Sequence, residues 1–328
     1  MIATLQSLRF IFVMMVFMSH FAFRDIRAFD AGGDCGVAFF FMLSGFMVSY
    51  GYGRQVREGS FRYAGFLSRR IRKLYPLHVL CLVFFLLVSG SAIDFPVVMN
   101  ALLLQSWVPD STVYFSCNGV SWFLSSLFFC YILFPLAYRW VSAYGLGVVL
   151  VLYAIVCVLT PYDKVNAILY VNPLVRFVDF YIGMVLCRLY TNDYHISHAG
   201  ILEVLLVVVL MVLLAIYPVV DAKFRNAPMY WLVLAPLILV FAKEQGIVSS
   251  LLRRRPMLML ASLSMPVYMV HQMTIGILLH RLPELPGFVM LFICILSVLV
   301  VSWLIDQFFL RQLAKMDNNL KKSTFILI

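Results

Sequence analysis

Apolar stretches long enough to cross a bilayer recur along nearly the whole chain, and they leave little room for anything else. A spanning helix needs about 20 mostly apolar residues. Such stretches lie near residues 6–23, 36–52, 75–92, 119–138, 144–161, 170–190, 200–219, 229–242, 257–279 and 287–309. Composition agrees, because 63% of the 328 residues are hydrophobic and only 12% are charged, against about 25% charged in a soluble domain. A water-soluble exterior cannot be built from this material. The expected fold is all-α: a polytopic integral membrane bundle of about ten transmembrane helices. Residues 1–328 form one transmembrane domain with no separate soluble domain. Residues 96–107 are apolar but too short to span, so they read as an interfacial or re-entrant helix. The first stretch carries Arg9 and His20 and no small-residue cleavage site follows it, so it reads as a retained helix and not a signal peptide.

Charge sets the expected orientation. Lys and Arg concentrate in cytoplasmic loops. With the N-terminus inside, seventeen of the 25 fall on cytoplasmic segments and six on outer loops, while Arg9 and Arg176 lie within spans. Both termini are therefore expected in the cytoplasm. The net charge of +10 marks membrane flanks and not a nucleic-acid surface. The seven cysteines show no CxxC pair and no metal-ligand spacing, so no metal is expected. Cys35 and Cys117 both map to the outer side. They could pair in an oxidising periplasm, and the alternative of two free thiols stays open.

Ionisable groups inside spans are costly and usually face a bundle interior or a water-filled path. They are the informative positions. Arg9 and His20 are eleven residues apart, which returns them to nearly the same helix face with a rise of roughly 16 Å. The bland alternative is a snorkelling Arg and an interhelical His hydrogen bond. The basic run from Phe66 to Pro76 opens the third stretch. Arg69 and Arg72 share a helix face, and paired guanidinium forks suit phosphate. Arg70 and Lys73 read as ordinary positive-inside anchors. Ser44 and Gly45 suit close helix packing, and no GxSxG elbow surrounds the serine. Trp122 and Ser125 open the fourth stretch, Arg176 and Asp179 can neutralise one another in the sixth, and Tyr268 and His271 lie three apart in the ninth. Each of these is a pocket or support candidate.

Taken together and in order, these segments resemble the acyltransferase 3 family of membrane-bound acyltransferases that modify cell-envelope sugars. Arg9 and His20 are similar to its Arg-x10-His signature and residues 36–46 to its GVxxFFxxSGF stretch. Arg69 to Pro76 is similar to its RxxR segment, and residues 122–135 to W-x-L-S…Y-x-L-F-P. Arg176–Gly183 is similar to R-x-x-[DE]-F-x-x-G, and Ser264–His271 to S-x-x-x-Y-x-x-H. One departure stands out: many relatives carry acids where this chain has Leu127 and Phe128.

The resemblance implies transfer of an acyl group, most simply acetyl, from cytoplasmic acetyl-CoA (acyl-CoA) to a hydroxyl of an envelope or exported polysaccharide sugar, in the bacterial inner (plasma) membrane. No permanently bound cofactor is implied, acyl-CoA being a donor substrate. His20 would be catalytic, either as general base or as an acylated intermediate. Arg9, Arg69 and Arg72 would hold the donor phosphates. Ser44, Trp122, Ser125, Arg176, Asp179, Tyr268 and His271 would line or support the pocket. Expected partners are acyl-CoA, a sugar or polysaccharide acceptor and the lipid bilayer, with no nucleic acid; homo-oligomerisation stays open. The competing class is a multi-pass transporter of a sugar or lipid-linked glycan, although no matching pair of interrupted helices is visible in the two halves. The enzyme reading requires a route through the bundle that joins the arginines to His20.

Overall fold

The computed structural model describes residues 2–21, 30–192 and 196–315. Arg24, Arg27, Lys321 and Lys322, which entered the charge count, lie outside them, as do the last two residues of the first expected span. Helices account for all the regular structure among the described residues. The first group comprises α1 (Ala3–His20), α2 (Ala31–Arg57), α3 (Tyr63–Ser89), and the short α4 (Phe95–Ala101) and α5 (Ser111–Tyr114). Next come α6 (Trp122–Tyr138), α7 (Ala143–Leu159), α8 (Pro173–Thr191), α9 (Ala199–Ile216) and the one-turn α10 (Ala222–Arg225). The chain continues through α11 (Pro228–Ala242), α12 (Ile247–Leu252), α13 (Arg255–Ser262), α14 (Ser264–Arg281) and α15 (Gly287–Ile305).

A helix stands at each of the ten expected places. Among the described residues, seven helical segments are long and apolar enough to cross a membrane, and eight if α13 and α14, bent by 57° at their junction, act as one broken span. The shortfall from about ten has physical causes. Helix α7 is apolar but only 17 residues long. Helix α8 carries Arg176, Asp179 and Arg188 in 19 residues, with the first two buried against each other. The 96–107 segment becomes α4 plus a single 3-10 turn at Gln105–Trp107, far too short to cross. It is pinned back on the bundle, since His78 Nε2 and the Asn100 carbonyl lie 2.9 Å apart and Tyr75 donates to the Ala101 carbonyl at 2.8 Å.

Helix α2 is the hub. It packs against α1, α6, α8 and α11, and most of its length is buried. Its crossing with α8 is at backbone contact. A Cβ on Gly45 would fall 1.9 Å from the Phe180 carbonyl oxygen, and one on Gly183 would fall 1.8 Å from that of Met42. Only glycine fits at either point, and small residues are what let membrane helices approach this closely. At the periphery, α3, α9 and α15 show largely exposed apolar faces, as helices turned towards lipid should.

Glu203 is the one acid in the apolar α9 and is fully buried. Its carboxylate accepts from the Gly246 and Ser249 backbone N–H groups at 3.1 and 3.0 Å and from the Ser249 hydroxyl. It thereby satisfies orphan donors at the start of α12. Cys35 and Cys117 are both free thiols: Cys35 is buried in the core around α2 and α11, and Cys117 lines a cavity on another side of α1.

Candidate active site

Helix α1 joins two cavities. Near its start Arg9 enters one of about 220 Å³; at its last residue His20 enters another of about 530 Å³. The first lies at the basic end of the bundle, with the Arg69–Lys73 run; the second lies at the opposite end.

In the larger cavity His20 meets a second imidazole. Its Nδ1 lies 3.3 Å from Nε2 of His271, and the rings meet edge-on at 4.9 Å between centroids. The protons can be placed by elimination. His271 Nδ1 faces the carbonyl oxygens of Tyr268 at 2.8 Å and Val267 at 3.1 Å, so in the neutral ring it carries the hydrogen and Nε2 is an acceptor. His20 Nδ1 faces that acceptor and the Val16 carbonyl at 2.9 Å, so it must donate. The lone pair of His20 is left on Nε2. A neutral imidazole held in one tautomer by its other nitrogen is the arrangement a general base needs. Fully buried, His271 acts on the cavity through His20.

The rest of this cavity is aromatic with a few polar groups. Trp122 and Tyr170 form one wall, their rings 4.8 Å apart. The Arg176–Asp179 pair stands behind that wall: Arg176 bonds Asp179 at 2.9 Å, donates to the Tyr170 and Asn226 carbonyls, and lies 5.0 Å from the Tyr170 ring. Trp231 donates its indole N–H to the same Asp179. The charges are therefore internally satisfied and position Tyr170. Ser125 accepts from the Ser106 N–H and so supports the 105–107 turn without entering the cavity. Gln272 does enter it. Its Oε1 is buried without a hydrogen-bond partner, lodged where a Cβ on Gly119 would lie 2.7 Å away.

The basic-end cavity is lined by a different pair of basic residues from Arg69 and Arg72. Arg69 and Arg72 turn outward and are exposed; Arg69 donates to the Tyr52 hydroxyl at 3.2 Å and Arg72 to the Ser68 carbonyl at 3.4 Å. Arg70 and Lys73, read as anchors, line the cavity with Arg9 instead. Both pairs are three apart, so spacing alone does not choose between them. The burial pattern helps: Phe66, Leu74, Leu77, His78, Cys81 and Leu82 are the buried positions of α3, Arg70 falls on that stripe, and the exposed Lys73 lies at its edge. The Arg70 guanidinium lies 5.6, 5.3 and 5.1 Å from the rings of Tyr52, Phe66 and Tyr131. Its Nε is buried with no hydrogen-bond partner. A desolvated donor of this kind is a vacancy for an anion's oxygen. Ser44, Leu127 and Ser264 also line this cavity.

The route expected to join the two cavities is divided. Phe40, Phe123 and Tyr268 pack with centroids 5.2 to 6.2 Å apart. Tyr268 lines both cavities and donates its hydroxyl to the Val120 carbonyl at 3.2 Å.

Comparison with known proteins bears on this geometry. The family described as "Acyltransferase domain" matches residues 2–307. The chain is similar to "Acyltransferase MdmB" of Streptomyces mycarofaciens, at 34% identity over 156 residues, 42% of this chain and 39% of that protein. It is also similar to "Protein 2 in picA locus" of Rhizobium radiobacter, at 42% identity over 52 residues, 16% of this chain and 27% of that protein. The chain thus spans well under half the length of either relative. No solved structure matches.

Proposed function

This chain belongs to the acyltransferase 3 family, and from that premise we propose that it transfers an acyl group, acetyl in the simplest case, from cytoplasmic acyl-CoA to a hydroxyl of a cell-envelope or exported polysaccharide sugar. The observation that carries the reading is the placement of His20 in one cavity, its Nδ1 facing the Val16 carbonyl and His271, on the same helix that places Arg9 in a second, cationic one.

The donor's phosphates are held by Arg9, Arg70 and Lys73, whose charges have no carboxylate among the residues that line their cavity. The rise of roughly 16 Å from Arg9 to His20 is spanned by the extended thioester arm. The acceptor sugar sits against the Trp122–Tyr170 wall. Its hydroxyl oxygen attacks the thioester carbonyl carbon while His20 Nε2 takes the hydroxyl proton. Collapse of the tetrahedral intermediate breaks the C–S bond, and the imidazolium returns the proton to the departing thiolate. The side-chain amide of Gln272, in the same cavity, is the candidate donor to the oxyanion. The Phe40–Phe123–Tyr268 partition must part to admit the thioester. While packed it keeps water on the sugar side from the donor, which is the value of an excluded site. The concentration of Lys and Arg supports a reading in which the basic end faces the cytoplasm, in a bacterial inner membrane.

A divided route is also what a transporter would show. Membranes containing the chain, given labelled acetyl-CoA and envelope polysaccharide, separate the two. Label reaching polysaccharide with the native chain and not with His20→Ala supports the enzyme. Polysaccharide that moves across the membrane unlabelled, equally with both chains, overturns it.

A further inference from the structure

A third cavity lies at the basic end, on helix ends that the acyl-transfer reading does not use. It encloses about 510 Å³ and is lined by Val56, Arg57, Gly59, Tyr138, Arg139, Val141 and Arg188. Its three arginines come from the last turn of α2, the residue closing α6 and the last turn of α8. The fold gathers them from positions more than 130 residues apart. No carboxylate lines the cavity. The adjacent Glu58 is engaged with Arg54 at 2.7 Å.

A positive-inside bias explains basic residues on this side of the bundle. It does not explain three guanidinium groups around one concavity, because dispersed cations repel one another less. The helix C-termini beneath them each supply roughly half a negative charge, which leaves more than one positive charge uncompensated. Arg188 is fixed by donating to the Val141 carbonyl. The side chains of Arg57 and Arg139 are exposed and present their forks to whatever occupies the space. Planar forks from several directions are the donor set for phosphate oxygens, and the volume falls within the range of small-ligand sites. On the elements that carry Tyr138, Arg139 and Val141, α6 exposes Ile132 and Leu136, the α6–α7 link exposes Trp140, and the start of α7 exposes Tyr144. Apolar and interfacial aromatic residues of this kind stand where acyl chains meet headgroups.

We propose that the Arg57–Arg139–Arg188 cavity binds a bis-phosphate anion, either the headgroup of a diphosphate phospholipid or a soluble diphosphate. This is independent of the acyl-transfer chemistry. Basic pockets between transmembrane helices on the cytoplasmic face bind such headgroups elsewhere.

The test uses the full chain in phosphatidylcholine nanodiscs, titrated in one arm with cardiolipin and in the other with inorganic pyrophosphate. Retained ligand is counted by native mass spectrometry and the unfolding midpoint is followed. The native chain should retain one of the two probes with a raised midpoint, and Arg57→Gln/Arg139→Gln should bind it at least tenfold more weakly. Arg54→Gln, outside the cavity, should bind as the native chain does. Retention of cardiolipin alone assigns a lipid headgroup, and retention of pyrophosphate alone assigns a soluble ligand. Retention of neither, or retention undiminished in the variant, overturns the proposal. If the double variant does not accumulate, Arg139→Gln alone carries the same comparison at an exposed position.

Discussion

The two cavities along α1 are built by different means. The one around His20 is largely aromatic, and its one basic nitrogen is oriented by a chain of hydrogen bonds running from backbone carbonyls through His271. The basic-end one around Arg9 gathers charge and leaves part of it unmet, as the orphaned Nε of Arg70 shows. On the proposed reading, one moves a proton and the other holds an anion. A reaction that needs both must bring them together across Phe40, Phe123 and Tyr268.

The comparison can be broken most sharply at His20. His20→Ala should lower acyl transfer by about 10²- to 10⁴-fold, the usual worth of a positioned base, with membrane insertion unchanged. Labelled-acetyl assays on membranes with matched protein levels check this, and native rates would refute the assignment. A smaller, more selective effect is expected at the other cavity. Arg70→Gln should raise the KM for acyl-CoA about 10- to 100-fold, from the loss of charged hydrogen bonds worth about 1.5–3 kcal/mol. The KM for the acceptor should hardly move. If the acceptor KM rises instead, the donor does not sit there. Arg69→Gln, which points outward, is the matched control and should change neither constant appreciably.

His271→Leu removes one of the two acceptors that hold the His20 tautomer, leaving the Val16 carbonyl. A neutral hydrogen bond contributes about 0.5–1.5 kcal/mol, so kcat should fall about two- to tenfold with both KM values kept. A fall as deep as that of His20→Ala would mean that His271 itself touches substrate. The least effect on turnover is expected far from both cavities. Glu203→Ala should cost about 1–3 kcal/mol of stability by stranding the N–H groups that begin α12, seen as a lower unfolding midpoint in detergent at native turnover per folded molecule.

Much of this arrangement was legible before any coordinates. The eleven-position step from Arg9 to His20 puts them on one helix face, and Gly45 marks a packing site whose reality is a backbone-to-backbone crossing with α8 at Gly183. What the sequence did not reveal is pairwise. Tyr268 and His271 could be seen three apart on one helix, but no local pattern says that His271 meets His20, 251 positions away. Guanidinium chemistry favours Arg69 and Arg72 for phosphate, whereas the buried stripe of α3 turns Arg70 towards the bundle, since packing fixes a helix's rotation more firmly than ligand chemistry does. Gln272 had no signal beyond its neighbour. Glu203 had one that was passed over: a lone acid in an otherwise apolar helix needs donors, and here it finds them in α12.

The glycine crossing of α2 and α8 has a bearing on how the molecule could move. Two helices interlocked at their backbones cannot slide or roll past one another, so Phe40, carried by α2, belongs to a fixed frame. Tyr268 is carried by α14, which joins its neighbour α13 at a 57° elbow around Leu263. Any passage between donor and acceptor would therefore be worked from that elbow, with the α2–α8 pair as the stationary jaw against which it opens.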